Sequence, residues 1–262
     1  MLDITFPFTE EEKKINVRLG ALYNDWSNEL KKVWKDYNDT EFEEFGIFPN
    51  YLSQNLKILF VGRESRGAGA RNYIDILYKA VRHEKTVAGK HINSNPFWRR
   101  LLKVAYGINN GCISWDEIPD AATIADTFGE TNGLSFAFTN ISKLNNEKAD
   151  EWQSDWSKIN TFVDFTEKCS QRYFMNEIEI INPDIIITNN INMCGVNRRY
   201  FIWSERYMCP IGDDVDIYCL DLIYKKVPII DTWHFAAPNK KDNDNFYEPI
   251  CKAYQYIQEA LK

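Results

Sequence analysis

Three short stretches of this chain are apolar at almost every position and then break abruptly into polar residues. They are "KILFVG" (Lys57–Gly62), "LSFAFT" (Leu134–Thr139) and "PDIIITNN" (Pro183–Asn190). A strand with one wet face alternates apolar and polar residues, whereas a strand that is apolar throughout is covered on both faces. Helical patterns separate these runs, so the expectation is a parallel sheet sandwiched between layers of helices. Two further runs, "VDIYCLDLIY" and "VPIIDTWHF", lie close enough together to pair as a hairpin.

The helices are read from periodicity. Thr9 to about Tyr37 carries Ile15, Leu19, Leu22, Trp26, Leu30 and Trp34 at steps of three or four, with Thr9 and Glu12 spaced as a capping box. "ARNYIDILYKAVRH" and "NPFWRRLLKVAYGI" follow the first strand, the second with Pro96 in its first turn. A long helix is expected from about Phe162 to Asn182, and "NDNFYEPICKAYQYIQEALK" closes the chain. No linker, internal repeat or low-complexity tract divides the 262 residues. The expectation is one domain over 1–262 with an N-terminal helical extension at about 9–50. The segments 112–129 and 193–214 read as insertions or lids.

In open α/β sheets ligands bind outside the carboxyl ends of the strands. The first strand delivers Gly62, Arg63, Glu64, Ser65, Arg66 and Gly67 to that edge. The second delivers Thr139, Asn140 and Ser142, and the last delivers Asp231, Thr232, Trp233 and His234. Glycines after a strand permit positive φ and close approach of backbone N–H groups to an anion. Glu64 between two arginines suits a general base that orients water, or an inert ion pair. His234 suits a donor to a developing oxyanion, and Asn140 offers a donor and an acceptor to a base edge or amide. Neither a Walker loop nor a dinucleotide fingerprint is present. A nucleophile elbow is nearly formed around Ser65, which leaves serine-hydrolase chemistry open.

The chain is acidic overall, with a net charge of −7, yet between Arg63 and Lys103 ten Lys/Arg oppose only three acids. A local basic face of this kind suits phosphates, with Arg71, Arg99 and Arg100 as the candidate ligands; a solvated surface is the plainer alternative. The six cysteines form no C-x-x-C pair, so neither a metal site nor a cofactor is expected. No apolar run reaches the roughly 20 residues that cross a bilayer, and no secretory signal is visible, so a cytoplasmic location is the expectation.

The order of motifs carries a resemblance. "GRESRG", then "FAFTN", then "DTWHFAAPN" is similar to the uracil-DNA glycosylase superfamily, in which a first strand ends in a glycine-and-acid motif, a middle strand in Asn and a last strand in His. "PFWR" after the first motif and "PDIII" before the third strand resemble a bacterial branch of that superfamily. The similarity runs from about Leu56 to Leu261. It implies a three-layer α/β/α sandwich with a central, mainly parallel four-stranded sheet. It also implies DNA or a nucleotide as partner, and hydrolysis of the N-glycosidic bond of a damaged or deaminated base. Glu64 and His234 would be catalytic. Gly62, Arg63, Ser65, Arg66, Gly67 and Asn140 would hold the substrate, with Tyr73, Phe97 or Trp98 stacking on the base. Ser65 and Arg66 stand where the family has proline and tyrosine. The same residues also fit a catalytically inactive module that binds nucleotides or nucleic acid.

Overall fold

The structure, a computed structural model, describes residues 6–65, 71–146, 154–191, 203–207 and 214–260. Its centre is a seven-stranded mixed sheet. In chain order the strands are β1 (Gly46–Ile47), β2 (Ile58–Gly62), β5 (Ala137–Asn140), β6 (Ile185–Asn189), β7 (Trp203–Tyr207), β8 (Val215–Asp221) and β9 (Lys226–Thr232). A separate two-stranded ribbon is made by β3 (Thr86–Val87) and β4 (Lys90–His91). Across the large sheet the order is β1-β5-β2-β6-β9-β8-β7.

The inner four strands, β5, β2, β6 and β9, run parallel, and antiparallel strands extend the sheet at both edges. The expectation of a four-stranded sheet is therefore corrected to a larger, mixed one. Two things enlarge it. The hairpin β8–β9 adds a strand at one edge, with β7 beyond it. At the other edge the N-terminal extension contributes β1, paired Gly46↔Phe138 and Ile47↔Ala137. The extension is thus built into the sheet.

Helices cover both faces. The pleat sends Thr139 towards α6 (Tyr173–Ile181), where its hydroxyl donates to Glu177 at 2.6 Å. Phe138 points the other way, against Phe97 and Trp98 of α3 (Pro96–Asn109). On the α6 face lies α1 (Glu10–Val33), capped by Thr9 and Glu12 as the spacing predicts. Its Trp26 stacks on Tyr173 at 5.3 Å. On the α3 face lies the last helix, α7 (Glu248–Ala260), preceded by one wide turn at Asn243–Tyr247. The remaining helices are α2 (Tyr73–Tyr78), α4 (Ala121–Ala125) and α5 (Trp156–Thr166).

The long helix expected over 162–182 is two helices, α5 and α6. Between them Cys169 N–H bonds back only three residues, to Thr166, and the side chains of Ser170 and Gln171 bond Glu29 and Asp25 of α1. Side chains that find partners outside the helix compete with its continuation. Within 112–129, a short turn at Trp115–Glu117 and α4 pack against α3 and its end. Of 193–214, only the strand 203–207 and Asp214 fall among the described residues.

Candidate functional site

The chain leaves β2 for β5 on one side and later reaches β6 on the other, so the strand order switches direction at β2. Such a switch opens a crevice at the carboxyl ends of the strands. Gly62 ends β2 and lies in register with Asn140, the last residue of β5, both on the face that looks towards α3. Gly62 is not among the positive-φ glycines. Its role differs from the expected one: a Cβ here would overlap the Asn140 side-chain oxygen, so glycine is needed to admit the neighbouring amide. Asn140 is 2% exposed, and among the described residues its side-chain amide makes no hydrogen bond. Its donor and acceptor are not fully enclosed, so they stay open to the crevice beside Gly62.

His234 lies just beyond β9 in a tight turn. The Ala237 N–H donates to the His234 carbonyl at 2.6 Å, and the Ala236 N–H donates to Nδ1 at 3.2 Å. An Nδ1 that accepts leaves the proton of a neutral ring on Nε2, which is then the donor. Phe235 anchors the turn in the core, its N–H bonded to the Asn189 side chain at 3.2 Å. The ring of Phe97 lies 5.5 Å from His234 and 6.3 Å from Phe138. Of the three aromatic candidates, Phe97 is therefore the one that bridges the Asn140 strand and the histidine. Trp98 is buried against Phe138, and Tyr73 packs on Phe45.

Glu64 is half-buried and already carries work. Its Oε1 accepts from the Asn146 side chain at 3.0 Å and from the Asp155 N–H at 2.9 Å, bracing the chain after β5 and the start of α5. Its Oε2 is buried without a hydrogen-bond partner. Arg63 turns away from Glu64: it donates to the carbonyls of Asn189 and Asn190 and lies 4.9 Å over the Trp156 ring. Ser65 donates to Glu43 and is 2% exposed. With a carboxylate rather than an imidazole as partner, it lacks the geometry of the serine nucleophile left open above. Arg66 and Gly67 lie outside the described residues.

The basic run is put to other uses. Among the described residues, at least six of these cations form ion pairs: Arg71–Glu44, Lys79–Glu84, Arg82–Glu130, Lys85–Asp126, and both Arg99 and Arg100 with Asp242. Arg100 is 5% exposed, lies 4.3 Å over Phe246, and donates to the carbonyls of Phe235, Ala237 and Lys240. It clamps the chain that follows His234, and burial removes it from any phosphate. Burial pushes the Asp242 carboxyl up, but the hydrogen bonds from Arg99 and Arg100 outweigh it and hold the group below its ordinary value. Arg99 and Arg71 remain partly exposed, each already bonded to an acid.

Two groups near the crevice have no counterpart in the sequence reading. Lys143 and Glu177 form a wholly buried ion pair at 2.8 Å, with the Lys143 ammonium also bonded to the Asn140 carbonyl at 2.7 Å. Glu43 comes from "FEEF", where two acids beside buried Phe42 and Phe45 look like a solvated run. Two adjacent acids break any period-2 pattern, so no local signal marked Glu43 as buried, and its pairing across to another segment was not visible. No protein-family model matches this chain, and no curated protein matches it. Among the described residues no cluster of three or more His, Cys, Asp or Glu could hold a metal ion, and no helix is long and apolar enough to cross a membrane.

Proposed function

We propose that this chain is a uracil-DNA glycosylase-like protein that takes one extruded base into the crevice beside Gly62 and hydrolyses its N-glycosidic bond. The observation that carries the reading is the Asn140 amide: buried, without a hydrogen-bond partner among the described residues, and admitted by a glycine on the adjacent strand. Three strand spacings, roughly 14 Å between backbones, separate β5 from β9, a gap suited to a planar heterocycle between the two side chains. Phe97 would stack on the base, Asn140 would read its edge, and the His234 Nε2–H would stabilise charge on the departing base. Glu64 would align the water. The helices on both sheet faces accord with the three-layer sandwich of that superfamily.

The test is release of base from single- and double-stranded oligonucleotides that carry uracil, hypoxanthine or other altered bases. Release should fall at least about a hundredfold in Asn140→Ala and vanish in Glu64→Gln, with both variants folded. Unchanged release in Asn140→Ala would overturn the reading.

One observation favours a second reading, a module that binds a base or nucleotide without turnover. Glu64 Oε1 has two donors and braces the fold, so the carboxylate also has a purely structural use. In that case the same oligonucleotides bind, Asn140→Ala weakens binding, and no base is released.

A further inference from the structure

The N-terminal segment meets the crevice at one residue. Because β1 runs antiparallel to β5, residues 45 back to 42 climb towards the carboxyl edge of the sheet. There the segment is stitched in on both sides. Glu43 N–H donates to the Lys143 carbonyl at 2.8 Å, Glu44 N–H to the Arg71 carbonyl at 2.6 Å, and Tyr73 N–H to the Glu44 carbonyl at 3.1 Å. Glu43 is 1% exposed; Oε2 receives the Ser65 hydroxyl, while Oε1 is buried without a partner. Ser65 follows Glu64 directly, and its own carbonyl accepts the Asn146 N–H at 3.0 Å.

We propose that Glu43 is a positioning residue of the crevice: through Ser65 it fixes the turn that carries Glu64, so the N-terminal segment is a working part of the site. The role in catalysis rests on the glycosylase-like reading; the positioning of Glu64 does not. Glu177 is matched at both oxygens. Glu43 instead leaves one oxygen orphaned, which penalises its ionised form. Burial pushes its carboxyl up to about 7, against the Ser65 hydrogen bond and the Lys143 and Lys158 ammonium groups, which lower it. The other charged groups around it are matched elsewhere: Lys158 bonds Glu41 from α5, Arg71 bonds Glu44, and Lys143 bonds Glu177. The Tyr73 hydroxyl on α2 is buried and neutral, its ionisation opposed by burial and by Glu43.

The closed arrangement thus binds its proton more tightly than any arrangement in which Glu43 is hydrated. Rising pH should loosen the contact, because the state with the higher pKa is favoured at low pH. Amide exchange reads this directly, since the Asn146 N–H is held by the Ser65 carbonyl and the Asp155 N–H by Glu64 Oε1. In the full-length protein, protection of these two amides, normalised to Ile187 in β6, should fall about tenfold from about pH 5 to about pH 7.5. In Glu43→Gln it should stay flat, and in Ser65→Ala it should be low throughout with Ile187 unchanged. An identical pH dependence in wild type and Glu43→Gln would overturn the proposal, as would full protection in Ser65→Ala. Base release adds a separate readout: its pH profile should lose the limb near neutrality in Glu43→Gln. If wild type releases no base but the exchange pattern holds, the glycosylase reading fails and the positioning of Glu64 stands.

Discussion

The Lys143–Glu177 pair and the crevice handle buried polar groups in opposite ways. Lys143 and Glu177 are wholly buried on the α6 face, and every side-chain donor and acceptor of the pair is matched. The Lys143 ammonium reaches Thr139, the Asn140 carbonyl and both oxygens of Glu177, and Tyr23 adds its hydroxyl to Glu177. At the crevice, Glu64 and Glu43 each leave a buried oxygen without a partner, and the Asn140 amide makes no hydrogen bond among the described residues. A saturated network is what structural support requires. An unmatched buried group calls for an explanation, and under the proposed reading the crevice supplies one for Glu64 and Glu43.

The largest way to break this contrast is on the saturated side. Lys143→Met leaves the Glu177 charge buried with only hydroxyls for company, and should cost about 3–5 kcal/mol in urea unfolding. Removing both charges together, as Lys143→Met with Glu177→Leu, should recover most of that loss. Burial pushes the Lys143 ammonium below its ordinary value, with the charge of Glu177 and its hydrogen bond pulling the other way.

Glu43→Gln sharpens the contrast from the crevice side and should move stability the other way. The Glu43 carboxyl titrates at about 7 when folded against an ordinary value of 4.5. Below about pH 4.5 it is protonated in both states, and the folded protein keeps the full benefit. As pH rises towards 7 the unfolded chain ionises first, so wild type loses stability. The variant does not titrate there. Its advantage over wild type should open between about pH 4.5 and 7 and level off at up to about 3 kcal/mol.

Gly62→Ala is a smaller perturbation, expected to cost about 1–3 kcal/mol because the new methyl competes with the Asn140 amide for one space. It should impair base binding more than its stability loss explains. Asn140→Ala should change stability by less than about 1 kcal/mol, since no hydrogen bond is lost with the amide. Thermal unfolding of the two variants side by side checks both values.

Much of this arrangement is legible in the residues. The apolar runs read at Lys57–Gly62, Leu134–Thr139 and Pro183–Asn190 hold the parallel inner strands β2, β5 and β6, β5 starting three residues later than read, because only a strand covered on both faces carries no polar alternation. The Thr9–Glu12 box, Pro96 in the first turn of α3 and the β8–β9 hairpin follow from chemistry confined to a few neighbouring residues. Gly62, Asn140 and His234 could be placed at one edge, because strand ends in a parallel sheet share a direction.

The pairings made across the chain were decided by tertiary structure. Arg99 and Arg100 look alike in "FWRRLL", yet helix phase turns Arg100 inward to clamp the His234 turn. Part of the charge excess of 63–103 is offset by acids such as Glu44, Glu130 and Asp242, distant in sequence and adjacent in space. Glu43 reaches Ser65 only because β1 happens to pair at the β5 edge. Local propensity and hydrophobic pattern are encoded over a few residues, so they can be read along the chain. Burial, and with it the partner and protonation of each polar group, depends on what the rest of the chain brings alongside, and that is settled only when the sheet assembles.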